Sequence, residues 1–166
     1  QTEALLKSRD KRTCFQHLVA HGLPVPDTVV VGEPSEIHNA IERVGPPPVI
    51  IKLLSSTHGM GVIKADTAKT AESVVEGFLR PKQKVILQKF IKESEGIDLR
   101  VLVVDDKIVA AMERVAAEGE FRSNIHRGAV GRKVNLTLQE RDVAIRAAKI
   151  MKLKVAGVDL LRSVNG

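Results

Sequence analysis

Most groups in this chain that could perform chemistry lie in one mixed polar segment, residues 113–128. It combines three arginines, an amide and an imidazole: Arg114, Arg122, Arg127, Asn124 and His126. Unpaired charges are too costly to desolvate for such a segment to form core. Guanidinium and amide groups that converge from one loop suit a doubly charged oxyanion such as a phosphate. A solvated loop on a basic protein is the alternative from these residues alone.

A second candidate is Lys52, the lone charge in an apolar strand predicted at residues 49–54. A buried lysine pairs with an acid or faces a bound anion, whereas a lysine at a strand end can simply reach solvent. The loop that follows contains Gly59 and Gly61, and its backbone amides could close over phosphates. An ordinary hairpin turn is the alternative, because the spacing is not that of a P-loop.

Two aspartates complete the candidate groups. Asp98 lies two residues after Gly96 at the start of a predicted hairpin, where it could accept hydrogen bonds from ribose hydroxyls or act as a turn aspartate. Asp159 lies in an apolar strand predicted at residues 155–161, where an acid holds a metal or pairs with an arginine such as Arg162. Magnesium takes one or two carboxylates together with phosphate oxygens, which suits Asp159.

Composition narrows the classes of partner. The net charge of +6 and the pI near 9.6 favour an anionic partner, whether nucleotide, nucleic acid or acidic peptide. The chain has no Trp or Tyr, which disfavours single-strand nucleic-acid binding by base stacking. A single cysteine, Cys14, excludes an internal disulfide and fits a reducing compartment, so we expect a cytoplasmic protein. No apolar run reaches transmembrane length, so we expect no membrane partner.

The elements that position these residues follow from periodicity and from helix caps. We predict helices at 8–21, from Ser35 to 44, at 70–79 and from Thr137, where Glu140 completes a capping box. We predict strands at 28–31, 49–54, 62–64, 84–91, 97–104, 107–113 and 155–161. Strands and helices mix without strict alternation, so the fold class is α+β. Hydrophobicity drops at residues 89–96, which predicts a boundary between two subdomains.

Both ends of the sequence suggest a piece of a longer protein. Gln1 stands where a Met would begin a complete chain, and Asn165-Gly166 is a hairpin signal with no return strand after it. We therefore expect a fragment whose last strand has an open edge.

Several blocks together resemble the ATP-grasp ligases, most closely the RimK type, the ribosomal-protein glutamate ligases. They are Lys11 after Arg-Asp, Val-Ile-Ile-Lys-Leu around Lys52, Ile-Leu-Gln-Lys-Phe-Ile at 86–91, Asp98-Leu-Arg, Phe-Arg-Ser-Asn-Ile-His-Arg-Gly at 121–128, and Ala-Gly-Val-Asp-Leu-Leu at 156–161. The block at 121–128 is specific, whereas the Lys52 and Gly-x-Gly features are shared across the superfamily. The resemblance implies an ATP-grasp fold with a helical segment at 1–21, a small subdomain at 22–90 and an incomplete large subdomain at 91–166, with a nucleotide cleft between the two subdomains.

The resemblance also implies roles for single residues. The implied ATP contacts are Lys11 and Lys52 at the phosphates, Gly59 and Gly61 in the phosphate loop, Gln88, Lys89 and Phe90 at adenine, Asp98 at the ribose, and Arg122, Ser123 and Asn124 at the phosphate end. Asp159 is the implied first ligand of Mg²⁺, with Mn²⁺ as an option. Arg114, Arg122 and Asn124 are the implied catalytic residues, with Arg114 at the substrate carboxylate or acyl phosphate.

The implied reaction joins a carboxylate and an amine at the expense of ATP, through an acyl phosphate. The implied partners are glutamate and the C-terminal tail of a peptide or protein, with a ribosomal protein as the example; a homo-oligomer is left open. The departures from the family pattern are Lys89 in place of an acid, Ser55 and Ser56 in place of Glu-Gly, Ala129 in place of a glycine, and the end of the chain before the Glu and Asn that complete the magnesium site. We therefore expect this fragment not to turn over by itself.

Two alternatives stay open at this point. Within the enzymes, a lysine- or arginine-pathway carrier-protein ligase or a glutathione-synthetase-like peptide ligase would share the same blocks. Outside the enzymes, a basic module could bind the ribosome or nucleic acid through Arg114, Arg122 and Arg127. Counterion release would make the affinity of such a module fall steeply with salt.

Overall fold

The computed structural model describes residues 2–54, 61–80 and 83–164. The chain forms two compact units: a continuous unit, Val25–Phe90, and a split unit made of Gln1–Pro24 and Ile91–Gly166. The helices are α1 Thr2–Arg9, α2 Lys11–Ala20, α3 Ile37–Val44, α4 Ala68–Leu79 and α5 Leu138–Ile150. The strands are β1 Thr28–Val31, β2 Val49–Leu53, β3 Val62–Ala65, β4 Val85–Lys89, β5 Ile97–Val104, β6 Lys107–Val115, β7 Val130–Lys133 and β8 Val155–Leu160.

The continuous unit is an antiparallel sheet, in the order β1-β4-β2-β3, with α3 and α4 packed on it. β-branched and aliphatic side chains fill the core between sheet and helices; Val31, Ile51, Val75 and Leu87 are fully buried. Side chains alternate between the two faces of a strand, so Lys52 on β2 points to the opposite face from Ile51. The continuous unit therefore holds Lys52 on the face of the sheet that does not pack on the helices.

The split unit is a second antiparallel sheet, in the order β7-β6-β5-β8, with α5 against one face. Its core is formed by Val101, Val103, Ala144, Ala148 and Ala156. Side chains alternate between the two faces of this sheet as well. Asp98 and Arg100, which flank the buried Leu99, therefore lie on the face away from α5. The register then sets Asp98 opposite Arg114, and Arg100 opposite Asp159.

The structure confirms the predicted α+β class and most of the predicted elements. The hairpin β5–β6 turns at Asp105 and Asp106, which both have positive φ (44° and 64°), as the tightest two-residue turns require. Helix α5 begins with the predicted capping box of Thr137 and Glu140. None of the helices within the described ranges is long and apolar enough to cross a membrane.

Three local predictions are wrong. The single helix at 8–21 is divided into α1 and α2, because the Asp10 carboxylate accepts hydrogen bonds from the Arg12 amide (3.0 Å) and from the Thr13 hydroxyl (2.8 Å) and starts a new helix. Ser35 does not cap α3, because it lies inside a 3₁₀ turn, Pro34–Glu36, that precedes the helix; the Glu36 carboxylate accepts from the amides of residues 32 and 33 at the start of that turn. Helix α4, predicted to begin at residue 70, begins at Ala68, since Thr67 is its cap.

Strand β7 was not predicted. Its four residues are all exposed and lack the alternation of apolar and polar side chains that marks a half-buried strand. The predicted turn signal at residues 165–166 lies outside the described residues.

Candidate functional site

A chain of hydrogen bonds fixes Lys52 in the continuous unit. Its ammonium donates to Gln88 Oε1 at 2.6 Å, and Gln88 Nε2 donates to Thr28 Oγ1 at 2.8 Å. The Thr28 hydroxyl in turn donates to the Pro26 carbonyl at 2.6 Å. Gln88 is buried, with 5% of its surface exposed, so an unpaired amide there would be costly. The cation predicted to meet a phosphate is therefore held by a buried amide.

The structure also describes Gly61, Lys89 and Phe90, three other residues of this unit that are predicted to contact ATP. Gly61 has a positive φ of 66°, and a Cβ there would lie 2.8 Å from the Leu53 side chain, so the position requires glycine. Lys89 ends β4, and its ammonium lies 3.5 Å from Asp27 Oδ2. Phe90 follows the strand, and the Lys64 ammonium lies 4.7 Å from its ring centroid. Gly59, with Ser55 and Ser56, lies outside the described residues.

On the open face of the sheet in the split unit, Arg114 is clamped by two aspartates. Its Nε and Nη2 donate to the two Asp98 oxygens at 2.7 and 2.5 Å, and Nη2 also donates to Asp159 Oδ1 at 3.0 Å. The Arg114 and Asp98 side chains are only 10% and 12% exposed. The Asp98 hydrogen bond, and then the Asp159 charge, raise the pKa of Arg114 against the opposing effect of burial. A guanidinium held this way is a fixed positive charge.

Arg100 extends this network to the neighbouring strand. Its Nη1 donates to both Asp159 oxygens at 2.8 Å. The guanidinium crosses directly over Gly157, where an added Cβ would lie 2.6 Å from Nη2. Glycine at 157 is therefore the condition for Arg100 to reach Asp159. The arginine partner expected for Asp159 from sequence was Arg162, but that residue bonds Glu140 and Glu113 instead.

In the mixed polar loop, Arg122 is paired with Glu120. Its Nε and Nη2 donate to the two carboxylate oxygens at 2.9 and 2.6 Å. The hydrogen bonds from Arg122 lower the pKa of Glu120 from 4.5 to about 2 although burial opposes the shift, and the same pair raises the pKa of Arg122. Arg127 Nη1 lies 3.9 Å from the same carboxylate. The Glu120 carboxylate is therefore shared by two arginines.

Three further predicted residues are placed by the same unit. Ser123 is partly buried and follows Arg122, and Asn124 precedes a short 3₁₀ turn, Ile125–Arg127, in which its carbonyl accepts from the Arg127 amide at 2.9 Å. Lys11 is the first residue of α2, and partial burial lowers its pKa. Arg122, Ser123 and Asn124 thus come together in one loop, as consecutive residues must.

Asp159, the predicted first ligand of magnesium, has two arginine partners. Asp159 is a half-exposed carboxylate on a strand, but both of its oxygens accept hydrogen bonds from arginines. Across residues 2–54, 61–80 and 83–164, no three His, Cys, Asp or Glu side chains are grouped as a metal would need. These residues by themselves do not make up a magnesium site, and the assignment of Asp159 to the metal stays a prediction.

Sequence reasoning missed Arg100, Glu120 and Thr28 as parts of these networks. Arg100 had a usable signal, because it lies two residues after Asp98 and therefore on the same face of one strand. Glu120 also had one, because it stands two residues before Arg122 in the polar block. Thr28 had none, since its contact with Gln88 depends on the pairing of β1 with β4.

Comparison with solved structures defines the class of the fold. The ATP-grasp ligase PsnB, in a complex with its minimal precursor, superposes with a TM-score of 0.74 at 26% identity, over 99% of this chain and 50% of that chain. A D-alanine–D-alanine ligase from Bacillus anthracis superposes with a TM-score of 0.71 at 16% identity, over 95% and 54%. The two sheets with their helices are therefore about half of an ATP-grasp fold.

Sequence comparison then defines the family. The RimK-like ATP-grasp domain matches residues 8–166, and the chain belongs to this family. The protein named probable alpha-L-glutamate ligase 1 from Shewanella amazonensis is 50% identical over 166 residues. That alignment covers all of this chain and 55% of the relative, so the chain spans about half the length of the curated relatives it matches. The resemblance expected from the sequence blocks is confirmed.

Proposed function

We propose that this chain is the nucleotide-binding part of an ATP-dependent carboxylate–amine ligase that adds glutamate to an acceptor. The observation that carries the proposal is the RimK-like match over residues 8–166, which spans both the Lys52 and the Arg122 blocks. The relative from Shewanella amazonensis is named as an alpha-L-glutamate ligase, which supports glutamate as the substrate.

The proposed chemistry has two steps. A carboxylate oxygen attacks the γ-phosphoryl group of ATP, which forms an acyl phosphate and releases ADP. An amine then attacks the acyl carbon, phosphate leaves with the bonding electrons, the nitrogen loses a proton, and an amide remains. Negative charge builds on the transferred phosphoryl group, so fixed cations aimed at that group lower the barrier.

In this proposal, the residues of the continuous unit bind ATP before the reaction. Lys52 contacts a phosphate, and its hydrogen bond to Gln88 sets its direction before ATP arrives. Gly59 and Gly61 belong to the loop over the phosphates. The backbone at Lys89 and Phe90 meets adenine. A preset ammonium adds binding energy because little side-chain freedom is lost when ATP binds.

The residues of the split unit receive roles at the reacting groups. Arg122, with Ser123 and Asn124, meets the phosphate end, and Lys11 meets a phosphate as well. Asp98 accepts from the ribose while it holds Arg114; each carboxylate oxygen can accept more than one hydrogen bond, so both are compatible. Arg114 faces the substrate carboxylate or the acyl phosphate.

The charge pairing favours this proposal over a nucleic-acid-binding module. Such a module would use Arg114, Arg122 and Arg127 on phosphodiesters, but Arg114 is enclosed by two aspartates and Arg122 is paired in a bidentate manner with Glu120. Enclosed, oriented guanidinium groups suit one small ligand better than an extended backbone. We further propose the C-terminal tail of a protein, such as a ribosomal protein, as the acceptor.

Incubation of the full-length protein with ATP, Mg²⁺, glutamate and a candidate acceptor peptide tests the proposal. We expect ADP release that depends on the peptide, and a gain in peptide mass by glutamyl residues. Arg122→Ala should lower both by roughly 10²–10³-fold, whereas Arg146→Ala, a change at an exposed arginine on α5, should leave both unchanged. Salt-sensitive RNA binding without ADP release would favour the nucleic-acid module instead.

A further inference from the structure

The Glu120 carboxylate holds the backbone and the side chain of one residue at the same time. Its Oε1 accepts from the Phe121 amide at 3.0 Å, the Arg122 amide at 3.1 Å and Arg122 Nε at 2.9 Å. Its Oε2 accepts from Arg122 Nη2 at 2.6 Å. Two amides and both donors of one guanidinium edge therefore converge on a single side chain.

These contacts differ from those of an ordinary surface ion pair. Surface pairs usually keep one long contact between mobile side chains and contribute little, as in the exposed Asp142–Arg146 pair at 3.4 Å. The Glu120 and Arg122 side chains are about one-fifth exposed (20% and 21%) and are bidentate. A bidentate carboxylate fixes the plane of the guanidinium, and the amide contacts fix the loop that carries it. The pair therefore determines where Arg122 points.

A second reading is that Glu120 occupies Arg122 in place of an anionic ligand and must leave when the ligand binds. That reading explains the guanidinium contacts but not the two amide contacts, which would be lost at the same time. The contact with Arg127 also opposes it, because the carboxylate lies 3.9 Å from this second guanidinium and its charge is shared between two cations. Glu120 can therefore orient Arg122 without cancelling its attraction for a phosphate.

We propose that Glu120 is a positioning residue, which presets the loop and the guanidinium of Arg122 for the phosphoryl group that reacts. This inference rests on the proposed function, which gives Arg122 its role at that group. A guanidinium displaced by about 1 Å can cost on the order of 10²-fold in rate, although ground-state binding hardly changes. The cost of losing Glu120 should therefore appear in kcat.

Four variants of the full-length protein test the inference: Glu120→Ala, Glu120→Asp, Arg122→Ala and, as a matched control, Glu118→Ala. Glu118 carries the same charge in the same loop but is exposed. We expect Glu120→Ala to lower kcat by roughly 10²-fold with KM for ATP changed by less than about threefold. Glu120→Asp should restore part of kcat, and Glu118→Ala should leave both constants unchanged.

A readout without catalysis accompanies the kinetics. In ¹H–¹⁵N spectra, the Arg122 Nε–H signal should exchange slowly with water in the unmodified protein and in Glu118→Ala. It should exchange fast in Glu120→Ala, because the bidentate acceptor is gone. In the double variant Glu120→Ala/Arg122→Ala, kcat should equal that of Arg122→Ala alone, since two residues that act as a unit are not additive.

The outcomes separate this inference from the proposed function. If Arg122→Ala leaves kcat unchanged, the role of Arg122 is wrong and the inference falls with it. If Arg122→Ala lowers kcat but Glu120→Ala does not, only the positioning inference is overturned. Tighter ATP binding by Glu120→Ala would also overturn it, because Glu120 would then compete with the ligand. If Glu120→Ala fails to fold by circular dichroism, Glu120→Gln, which keeps one acceptor oxygen, takes its place in the same assays.

Discussion

Replacement of Asp98 by asparagine should destabilise the split unit far more than its size suggests. The variant keeps the shape of the side chain, but it removes the charge that pairs with a guanidinium only 9–10% exposed. Loss of one partner from a buried ion pair costs roughly 3–5 kcal/mol, because the other charge stays buried. Asp159 still accepts from Arg114 at 3.0 Å, and asparagine keeps one acceptor oxygen. We therefore expect the lower end of that range, about 3 kcal/mol.

Urea denaturation followed by far-ultraviolet circular dichroism measures this change, since the chain has no Trp or Tyr for fluorescence. For a unit of about 100 residues that unfolds by itself, about 3 kcal/mol corresponds to a melting temperature lower by roughly 12–24 °C. Asp142→Asn is the matched control, because its pair with Arg146 is exposed and contributes only about 0.3–0.5 kcal/mol.

Hydrogen exchange locates the effect. The amides of Val101 and Val103 on β5 should lose protection in Asp98→Asn, whereas Leu87 on β4 should keep it, because the two strands belong to different units. An unfolding free energy within about 0.5 kcal/mol of the Asp142→Asn value would refute the reasoning. Equal loss of protection at Leu87 would show that the units do not unfold separately.

Three further predictions concern single residues. Lys52→Ala in the full-length protein should weaken ATP binding by roughly 1.5–3 kcal/mol, as for loss of a charge-assisted hydrogen bond, and calorimetry that shows unchanged affinity would contradict the role. Gly157→Ala should lower the unfolding free energy by about 0.2–1 kcal/mol, the contribution of an exposed ion pair, because its methyl group would displace the end of Arg100 from Asp159. Gly77→Ala, which has open space in α4, should instead raise the unfolding free energy by about 0.5–1 kcal/mol. A higher unfolding free energy in Gly157→Ala would refute the close approach of Arg100 to residue 157. The pKa of Glu120 is lowered to about 2, so the stability it adds is complete above about 4.5 and is lost as the pH falls toward 2. The unfolding free energies of the unmodified protein and of Glu120→Gln should therefore converge between pH 4.5 and 2, and a constant difference would contradict this.

The sequence predicted the elements whose signals are local. The hairpin of β5 and β6 follows from alternation and from two aspartates that tolerate positive φ, and the start of α5 follows from a capping box. Helix α2 could also have been placed correctly, because Asp10 has the chemistry of a cap. The predicted helix began too early, at Ser8, although the apolar face that defined it lies wholly after Asp10.

The pairing of charges could not be predicted in the same way, because it depends on strand register. Arg162 is closer to Asp159 in sequence than Arg100 is, yet Arg162 follows β8 and bonds the capping residue Glu140. Arg100 reaches Asp159 because β5 and β8 place the two residues opposite each other. The register depends on which face of each whole strand is buried against α5, so no short sequence motif predicts it.

The division of the chain into a continuous and a split unit has a consequence for its synthesis. All of Val25–Phe90 is available to fold as soon as it leaves the ribosome, whereas α2 must wait for its packing partner α5. The end of α2 at Ala20 and the start of α5 at Leu138 are 118 residues apart (138 − 20). At about 5–20 residues per second, the delay is roughly 6–24 s. During that interval Phe15 and Leu18, the partly buried apolar residues of α2, lack α5 as a packing partner, which makes α2 a target for a chaperone.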